Sequence, residues 1–332
     1  MEFIKQFFRS FASPSSLHEA GILSMNMRNL DYVIKYNPRK LLPQVDDKLT
    51  TKRMAEKAGV DVPKLLGVVE YQHDIKNLGN LLGQHDSFVI KPAQGSGGKG
   101  ILVIVGRDGE RYVKASGDTL EFEDINRHVS NILGGLYSLG GKSDVAMIES
   151  LIVADPVFDD YSFEGVPDIR MIVFRGFPVM GMLRLATRAS DGKANLHQGA
   201  VGVGLDIASG KSLRAVQFDL PIEKHPDTGH NFEKLEVPHW DKLLKLTSAC
   251  YDMTGLGYLG VDIVLDKVHG PLILELNARP GLAIQIANGA GIQPRLELIE
   301  SLPHWNISIE EKVAFSKERF ISRRLTENSG RA

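Results

Sequence analysis

The stretch YLGVDIVLDKVHGPLILELNARPG, residues 258–281, limits the fold more than any other part of the chain. Two apolar runs carry acids at intervals and flank Lys267-Val268-His269-Gly270, which has the make-up of a turn. Runs this apolar must be buried, and the acids within them need partners. A β-hairpin meets both demands. With residues 267–270 as the connection, Asp266 faces Pro271 and Asp262 faces Glu275, whose Cβ atoms then lie about 4.5–5.5 Å apart. Asn277, two residues on, projects from the same face as Glu275. Val261, Ile263, Leu274 and Leu276 are apolar and are expected to keep solvent partly out. Two carboxylates so placed repel each other. A hard cation resolves the conflict, and an all-oxygen set that also accepts phosphate oxygens suits Mg²⁺. The alternative is a pair of solvated acids with split pKa values. Arg279-Pro280-Gly281 is then expected to open a helix with an anion-receptive N-terminus.

A second feature is FVIKPAQGSGGKGILVI, residues 88–104, in which Gly95, Gly97 and Gly100 spell G-x-G-x-x-G. A dinucleotide fold needs a helix directly after such glycines. Here Ile101–Val105 reads as a strand. The P-loop pattern fails as well, because Ala93 stands six before Lys99 and Gly100 follows that lysine. Glycines between two antiparallel strands make a flap whose amides close over phosphates. Protein kinases use one, and Lys114 sits where a kinase lysine stands, but no H-R-D or D-F-G run follows. Lys91, on the strand before the flap, alternates with Phe88 and Ile90 and calls for an anionic partner. Lys48, at the start of a helix capped by Asp46 or Asp47, is a second cation of the same kind.

Elsewhere the chain alternates helices and strands in a mixed α+β order. Asp118–Leu139 reads as a helix, Asp144–Ile148 as a buried strand, and Asp168–Phe174 with Val179–Arg188 as a hairpin turning at Arg175-Gly176. Asp241–Met253 is helical, residues from Leu282 are helical again, and the stretch from Lys317 reads as a polar, frayed end. The 332 residues are 43% hydrophobic and 24% charged, with a net charge of -2. That balance lacks the basic footprint of a nucleic-acid binder. The single cysteine, Cys250, precludes an internal disulfide and fits a reducing, cytoplasmic setting. No transmembrane helix is expected. Phe3, Ile4, Phe7, Phe8 and Phe11 share one helical face at the N-terminus, suited to docking on the protein body, a membrane surface or a protein partner.

Lysine strand, glycine flap and distant Asp…Glu-x-Asn hairpin, in that order, resemble the ATP-grasp superfamily. The wording looks closest to the α-L-glutamate ligase-like branch, related to the ribosomal-protein glutamate ligases. The matching residues are Asp47–Lys52, Val89–Pro92 with its flap, Ile148–Ile152, Asp168-Ile169-Arg170, Asn195–Gly199 and Glu275–Gly281. The resemblance implies an ATP-grasp fold of two α+β lobes sandwiching ATP. A helical segment (1–45) would precede a small lobe (46–148) and a large lobe (149–300), with an extension at 301–332. It implies an Mg²⁺- and ATP-dependent carboxylate–amine ligase, with one or two ions and Mn²⁺ as a substitute. An amino acid of glutamate type would join a peptide or protein acceptor through an acyl-phosphate. The resemblance also implies that Lys48 and Lys91 hold the α- and β-phosphates. The amides of Gly95, Gly97, Gly98 and Gly100, with Ser96, cover the β- and γ-phosphates. Glu149, Ser150, Leu151 and Ile152 form the adenine linker, with Arg170 and Leu274 also beside the nucleotide. Asp262, Glu275 and Asn277 bind metal, and Arg279 and the Gly281 amide stabilise charge on the reacting oxygens.

On the substrate side, Arg184 and Arg188 alternate onto one strand face and are expected to clamp an acid, with Asn195 and His197 in the loop beyond. Arg184 is also counted among the catalytic groups. A two-residue turn at Arg175-Gly176 sets Arg170 opposite Gly181 and Arg184 opposite Pro167. The two arginines then face opposite ways, so either a bulge intervenes or one lies outside the site. Asp155 and Asp159 both remain open as the ribose ligand. Asn26–Asn29 is a candidate for part of the substrate binding that a preceding α/β domain performs in such ligases. A silent nucleotide-binding protein and a ligase for a sugar-linked or cell-envelope carboxylate are the rival readings. An oligomer is compatible with the sequence.

Overall fold

The computed structural model describes residues 13–95 and 97–322. The N-terminal apolar face at Phe3–Phe11 and the flap residue Ser96 lie outside the described residues. The described residues divide into two compact units, one of residues 43–153 and one formed by residues 13–42 together with 154–322. The divisions at 45/46 and 148/149 expected from the sequence fall a few residues from these boundaries. The described residues before 43 and after 300 belong to the larger unit.

The smaller unit is built on an antiparallel sheet of β1 (Leu65–Val69), β2 (Phe88–Pro92), β3 (Leu102–Asp108), β4 (Arg111–Lys114), β5 (Thr119–Leu120) and β6 (Ala146–Glu149). Their spatial order is β1-β6-β2-β3-β4-β5. Helix α1 (Lys48–Ala58) starts where Asp47 accepts the Thr50 N–H at 2.8 Å and stops at Gly59 in the left-handed region. Helix α2 (Phe122–Leu133) places Ile125, Val129 and Ile132 on one stripe, which packs with Phe88, Ile90, Ile104 and Ile148 from the sheet. The helix expected over residues 118–139 is thus shorter at both ends, because Thr119-Leu120 pairs with β4 and Gly134-Gly135 stops the helix. The opposite face of the sheet buries Leu49, Ala93 and Met147.

The larger unit has a second antiparallel sheet, of β7 (Asp168–Phe174), β8 (Phe177–Leu185), β9 (Val201–Leu205), β10 (Ser212–Gln217), β11 (Leu220–Ile222), β12 (Tyr258–Asp266) and β13 (Gly270–Asn277). Their order is β11-β10-β9-β8-β7-β12-β13. Helix α3 (Trp240–Thr254) covers one face and carries the buried Cys250, whose thiol burial pushes up. Helix α4 (Ile284–Asn288) lies over β8–β10 on the other face. The contact there is close: a Cβ on Gly204 would stand 2.6 Å from the Ala287 carbonyl oxygen. Helices α5 (Gln293–Glu300) and α6 (Ile309–Arg319) follow. The stretch expected to fray from Lys317 begins in the last turn of α6, where Lys317 pairs with Asp241, and Phe320 beyond it is buried; its residues from 323 lie outside the described residues. No helix among the described residues is long and apolar enough to cross a membrane.

Residues before 43 are stitched to this unit by side-chain amides and one guanidinium. Asn37 Nδ2 donates to the carbonyls of Tyr258 and Ala278 at 2.8 and 3.2 Å, while its Oδ1 accepts the Tyr258 N–H. Gln285 exchanges two hydrogen bonds with the backbone of Leu23. Arg28 lies in a π-helical segment, Arg28–Ile34, and its Nη1 donates to the Pro280 carbonyl at 2.7 Å. This buried residue is therefore committed to the backbone after β13.

Two strand glycines separate packing from intrinsic preference. Gly204→Ala is expected to cost about 1–3 kcal/mol in urea unfolding, because the new methyl meets helix backbone. Gly106→Ala, where nothing lies within 4 Å of a built Cβ, is expected to stay within about 0.5 kcal/mol of the parent.

Candidate functional site

The hairpin β12–β13 brings Asp262 opposite Glu275, as the sequence predicts, by a different route. At the tip Asp266 faces Gly270 rather than Pro271, and Leu265 faces Pro271. Asp266 fixes this turn by accepting the N–H groups of Val268 and His269 at 2.9 Å each. A bulge at Leu274 absorbs the extra residue and restores the Asp262–Glu275 pairing. It also breaks the alternation, so that Leu274 is 37% exposed next to the partly exposed Glu275 instead of closing off solvent.

A second bulge, between Ile172 and Val173, resolves the question of the arginines. It sets Arg170 opposite Met182 and Arg184 opposite Asp168, so both guanidiniums reach the same cluster. Arg170 holds Asp262 through Nε and Nη2 at 2.7 and 2.5 Å. Arg184 forks onto Asp168 through the same two atoms, and its Nη2 also donates to Asp262 at 2.9 Å. The carboxylates are nearly inaccessible, and the two arginine side chains are 16% and 13% exposed. Burial opposes the charge on Asp262, but Arg184 and Arg170 together outweigh it and hold its pKa below the ordinary carboxylate value. Asp168 has only one direct guanidinium partner. Burial and the nearby charge of Asp262 push it up to about 6 against the pull of Arg184. Glu275 stands opposite Asp262 as a third carboxylate beside this group.

This neutralisation by arginine was not part of the sequence expectation, in which a cation alone relieved the repulsion. Among the described residues no group of three or more His, Cys, Asp and Glu side chains is arranged to hold a metal. The expected donors are two acids and an amide. Asn277 Oδ1 accepts the Arg279 N–H at 2.8 Å and retains a second lone pair. The donor set is all oxygen, two carboxylates and an amide, which fits a hard divalent ion.

Arg279 and Gly281 are both exposed. They do not open a helix. Pro280 packs over Gly260, Arg28 takes the Pro280 carbonyl, and α4 begins only at Ile284. The anion-receptive helix start expected at Gly281 is therefore replaced by an irregular loop. Arg188 is likewise displaced from the Arg184 face. Strand β8 ends at Leu185, and the Arg188 side chain is 72% exposed, stacked over Phe163 and near Asp227. Asn195 caps the turn that follows it by accepting the His197 N–H, and His197 is exposed. Leu196 of that turn lies over Gly202, the residue paired with Arg184.

In the smaller unit, Lys91 finds its anionic partner in Glu149, at 2.6 Å. Glu149 also pairs with Lys52, a residue given no role in the sequence reading. Lys52 stands one turn after Lys48 on α1, and that i, i+4 spacing was the available signal. Asp168, two residues before Arg170 on one strand face, was signalled in the same way. The expected adenine linker is partly committed to structure. Glu149 lies between β1 and β2, and the Ser150 N–H donates to the Lys64 carbonyl.

The flap is anchored at both ends. Lys48 donates its backbone N–H to Ala93 and its ammonium to the Gly95 carbonyl at 2.7 Å. Gly95 bridges to Ser138, and the Gly100 carbonyl lies 3.0 Å from His128 Nε2. Between these anchors Gly97 and Gly98 have φ of 63° and 75°, and Gly100 has 74°, a region that favours glycine. A side chain on Gly100 would in addition strike the Tyr137 ring.

No curated protein matches the sequence. Among solved structures, the chain is similar to the ATP-grasp ligase PsnB complexed with a minimal precursor. The identity is 15% and the TM-score 0.42, over 79% of this chain and 60% of that one. It is similar to the D-cycloserine synthetase DcsG at 14% identity and a TM-score of 0.46, over 83% and 73% of the two chains. For a D-alanine–D-alanine ligase from Bacillus anthracis complexed with ATP the values are 15% and 0.42, over 83% and 66%. The chain thus spans about three fifths of the length of the first of these structures. A family model described as sugar-transfer associated ATP-grasp matches residues 27–301, a span that takes in the lysines, the flap and the Asp262–Glu275 hairpin, and the chain belongs to that family.

Proposed function

We propose that the protein is an ATP- and Mg²⁺-dependent carboxylate–amine ligase. The observation that carries this reading is the Asp262 carboxylate, gripped by Arg170 and Arg184 and set opposite Glu275. Such a cluster offers oxygen donors to a divalent ion and guanidinium charge to phosphoryl or carboxylate oxygens. In the smaller unit, Lys48 and Lys91 would neutralise the α- and β-phosphates, and the amides of Gly95, Gly97, Gly98 and Gly100 would cover the β- and γ-phosphates. Leu151, Ile152 and Leu274 would supply contacts to the base.

Asp262, Glu275 and Asn277 would hold Mg²⁺, which withdraws charge from phosphate oxygens when bound. A substrate carboxylate oxygen then bonds to the γ-phosphorus as the bond to ADP breaks. The amine nitrogen attacks the acyl carbon of the resulting acyl-phosphate, phosphate leaves, and the nitrogen gives up a proton. Arg279 and the Gly281 amide, both exposed on their loop, would meet the charge that develops on the reacting oxygens. Arg184 contributes by fixing Asp168 and Asp262, and the turn at Asn195–His197 borders its strand row. An amino acid of glutamate type joined to a peptide or protein acceptor is the first reading of the substrates. The family's sugar-transfer description favours a second, a carboxylate or amine borne on a sugar-linked acceptor.

Purified protein with Mg-ATP and pools of amino acids, peptides and amino sugars is expected to release ADP and phosphate only when both an acid and an amine are supplied. Glu275→Gln should lower that turnover by about 10²-fold or more. Tight ATP binding with no stimulation by any pool would sink the ligase reading. Arg184→Lys is expected to lose about 3–5 kcal/mol of stability, since one ammonium cannot bridge two buried carboxylates as the fork does. Arg188→Ala should stay within about 0.5 kcal/mol, given its exposure. Both are read by urea unfolding.

A further inference from the structure

Lys52 takes no part in the proposed reaction, yet its side chain is as deeply buried as that of Lys91. Relative exposures are 5% for Lys52, 7% for Lys91 and 3% for Glu149. Lys52 meets one oxygen of the Glu149 carboxylate and Lys91 meets the other. The Lys52 ammonium also donates to the Pro63 carbonyl. Lys91 reaches the carboxylate from β2 and Lys52 from α1, on the sheet face that buries Leu49, Ala93 and Met147.

Two ammonium groups around one carboxylate leave one positive charge uncompensated, away from water. A pairing that served stability alone needs one lysine, and the second adds desolvation cost and repulsion. Both costs act on Lys52. Burial pulls its pKa down and Lys91 repels it, while Glu149 and, last and least, the exposed Glu56 support the charge. A surplus cation kept in a buried cluster is useful where an anion is to be bound.

We propose that Lys52 is a positioning residue that occupies one oxygen of Glu149, so that Lys91 keeps a fixed direction and a surplus positive charge for a nucleotide phosphate. The inference rests on the nucleotide-binding part of the function proposed above. Its distinctive consequence is that charge balance within the trio, more than the presence of any one of Lys52 and Glu149, sets phosphate affinity. Removing Lys52 leaves Glu149 to cancel Lys91, whereas removing Lys52 and the Glu149 charge together restores one surplus cation.

The test is Mg-ATP binding to the full chain by titration calorimetry, with melting temperature recorded for each variant. Lys52→Met is expected to weaken binding about tenfold or more. Lys52→Gln, which keeps a donor for the Pro63 carbonyl, should do the same and guards against misfolding of the first variant. The double variant Lys52→Met with Glu149→Gln is expected to recover most of the lost affinity, which a role in packing alone would not produce. The salt dependence of Mg-ATP affinity should flatten in Lys52→Met and steepen again in the double variant. Wild-type affinity in both Lys52 variants, or no recovery in the double variant, overturns the inference alone. A wild-type chain that binds no Mg-ATP overturns the nucleotide reading and the inference with it.

Discussion

The larger unit turns on one buried carboxylate. Asp262 sits in β12, whose nine residues are all buried, and two guanidiniums hold its charge, one from the adjacent β7 and one from β8 beyond it. An isolated carboxylate there would be untenable. The demand runs outward through the sheet. Arg170 has to face Asp262 across β7, Arg184 has to come from β8, and Asp168 has to occupy the remaining edge of Arg184. Each of these positions depends on a strand register: β7 pairs with β12 without a break, the β7–β8 bulge sets Arg184 opposite Asp168, and the β12–β13 bulge sets Glu275 opposite Asp262. The ion cluster and the irregularities of the sheet are thus one arrangement, since a slip by one residue would turn a charge into the apolar layer.

The smaller unit solves a similar problem with the opposite sign. Glu149 is the buried acid at the end of β6, and two lysines answer it from a helix and a strand. The Asp262 cluster gathers carboxylate oxygens held by guanidiniums, and the Glu149 cluster gathers two ammonium groups on one carboxylate.

Much of this was readable from the sequence because it follows from period and pairing. The two-residue period placed Asp262, Glu275 and Asn277 together, and the strand after Gly100 excluded a dinucleotide fold. The places of the bulges were not readable. Bulges insert a residue without a distinctive side chain, so the hairpin tip was set one residue off, and for Arg170 and Arg184 the choice between a bulge and an arginine outside the site stayed open. Arg188 was misplaced because nothing in Ala186–Arg188 announces the end of β8. Lys52 and Asp168 were overlooked for another reason. Their partners, Glu149 and Arg184, are distant in sequence, and a charged residue near others of its kind reads as a solvated surface until the fold brings its counterion.

The stitching of Leu23, Arg28 and Asn37 to residues 258–285 bears on how the chain is made. The smaller unit is a continuous insertion, and every strand of its sheet has been synthesised once residue 149 emerges. The segment ahead of it, by contrast, acquires its partners only after more than two hundred further residues, when β12, β13 and α4 appear. Leu23, Arg28 and Asn37 therefore make contacts of very long sequence separation, which are slow to form, whereas the strands of the smaller unit's sheet all lie within one continuous stretch.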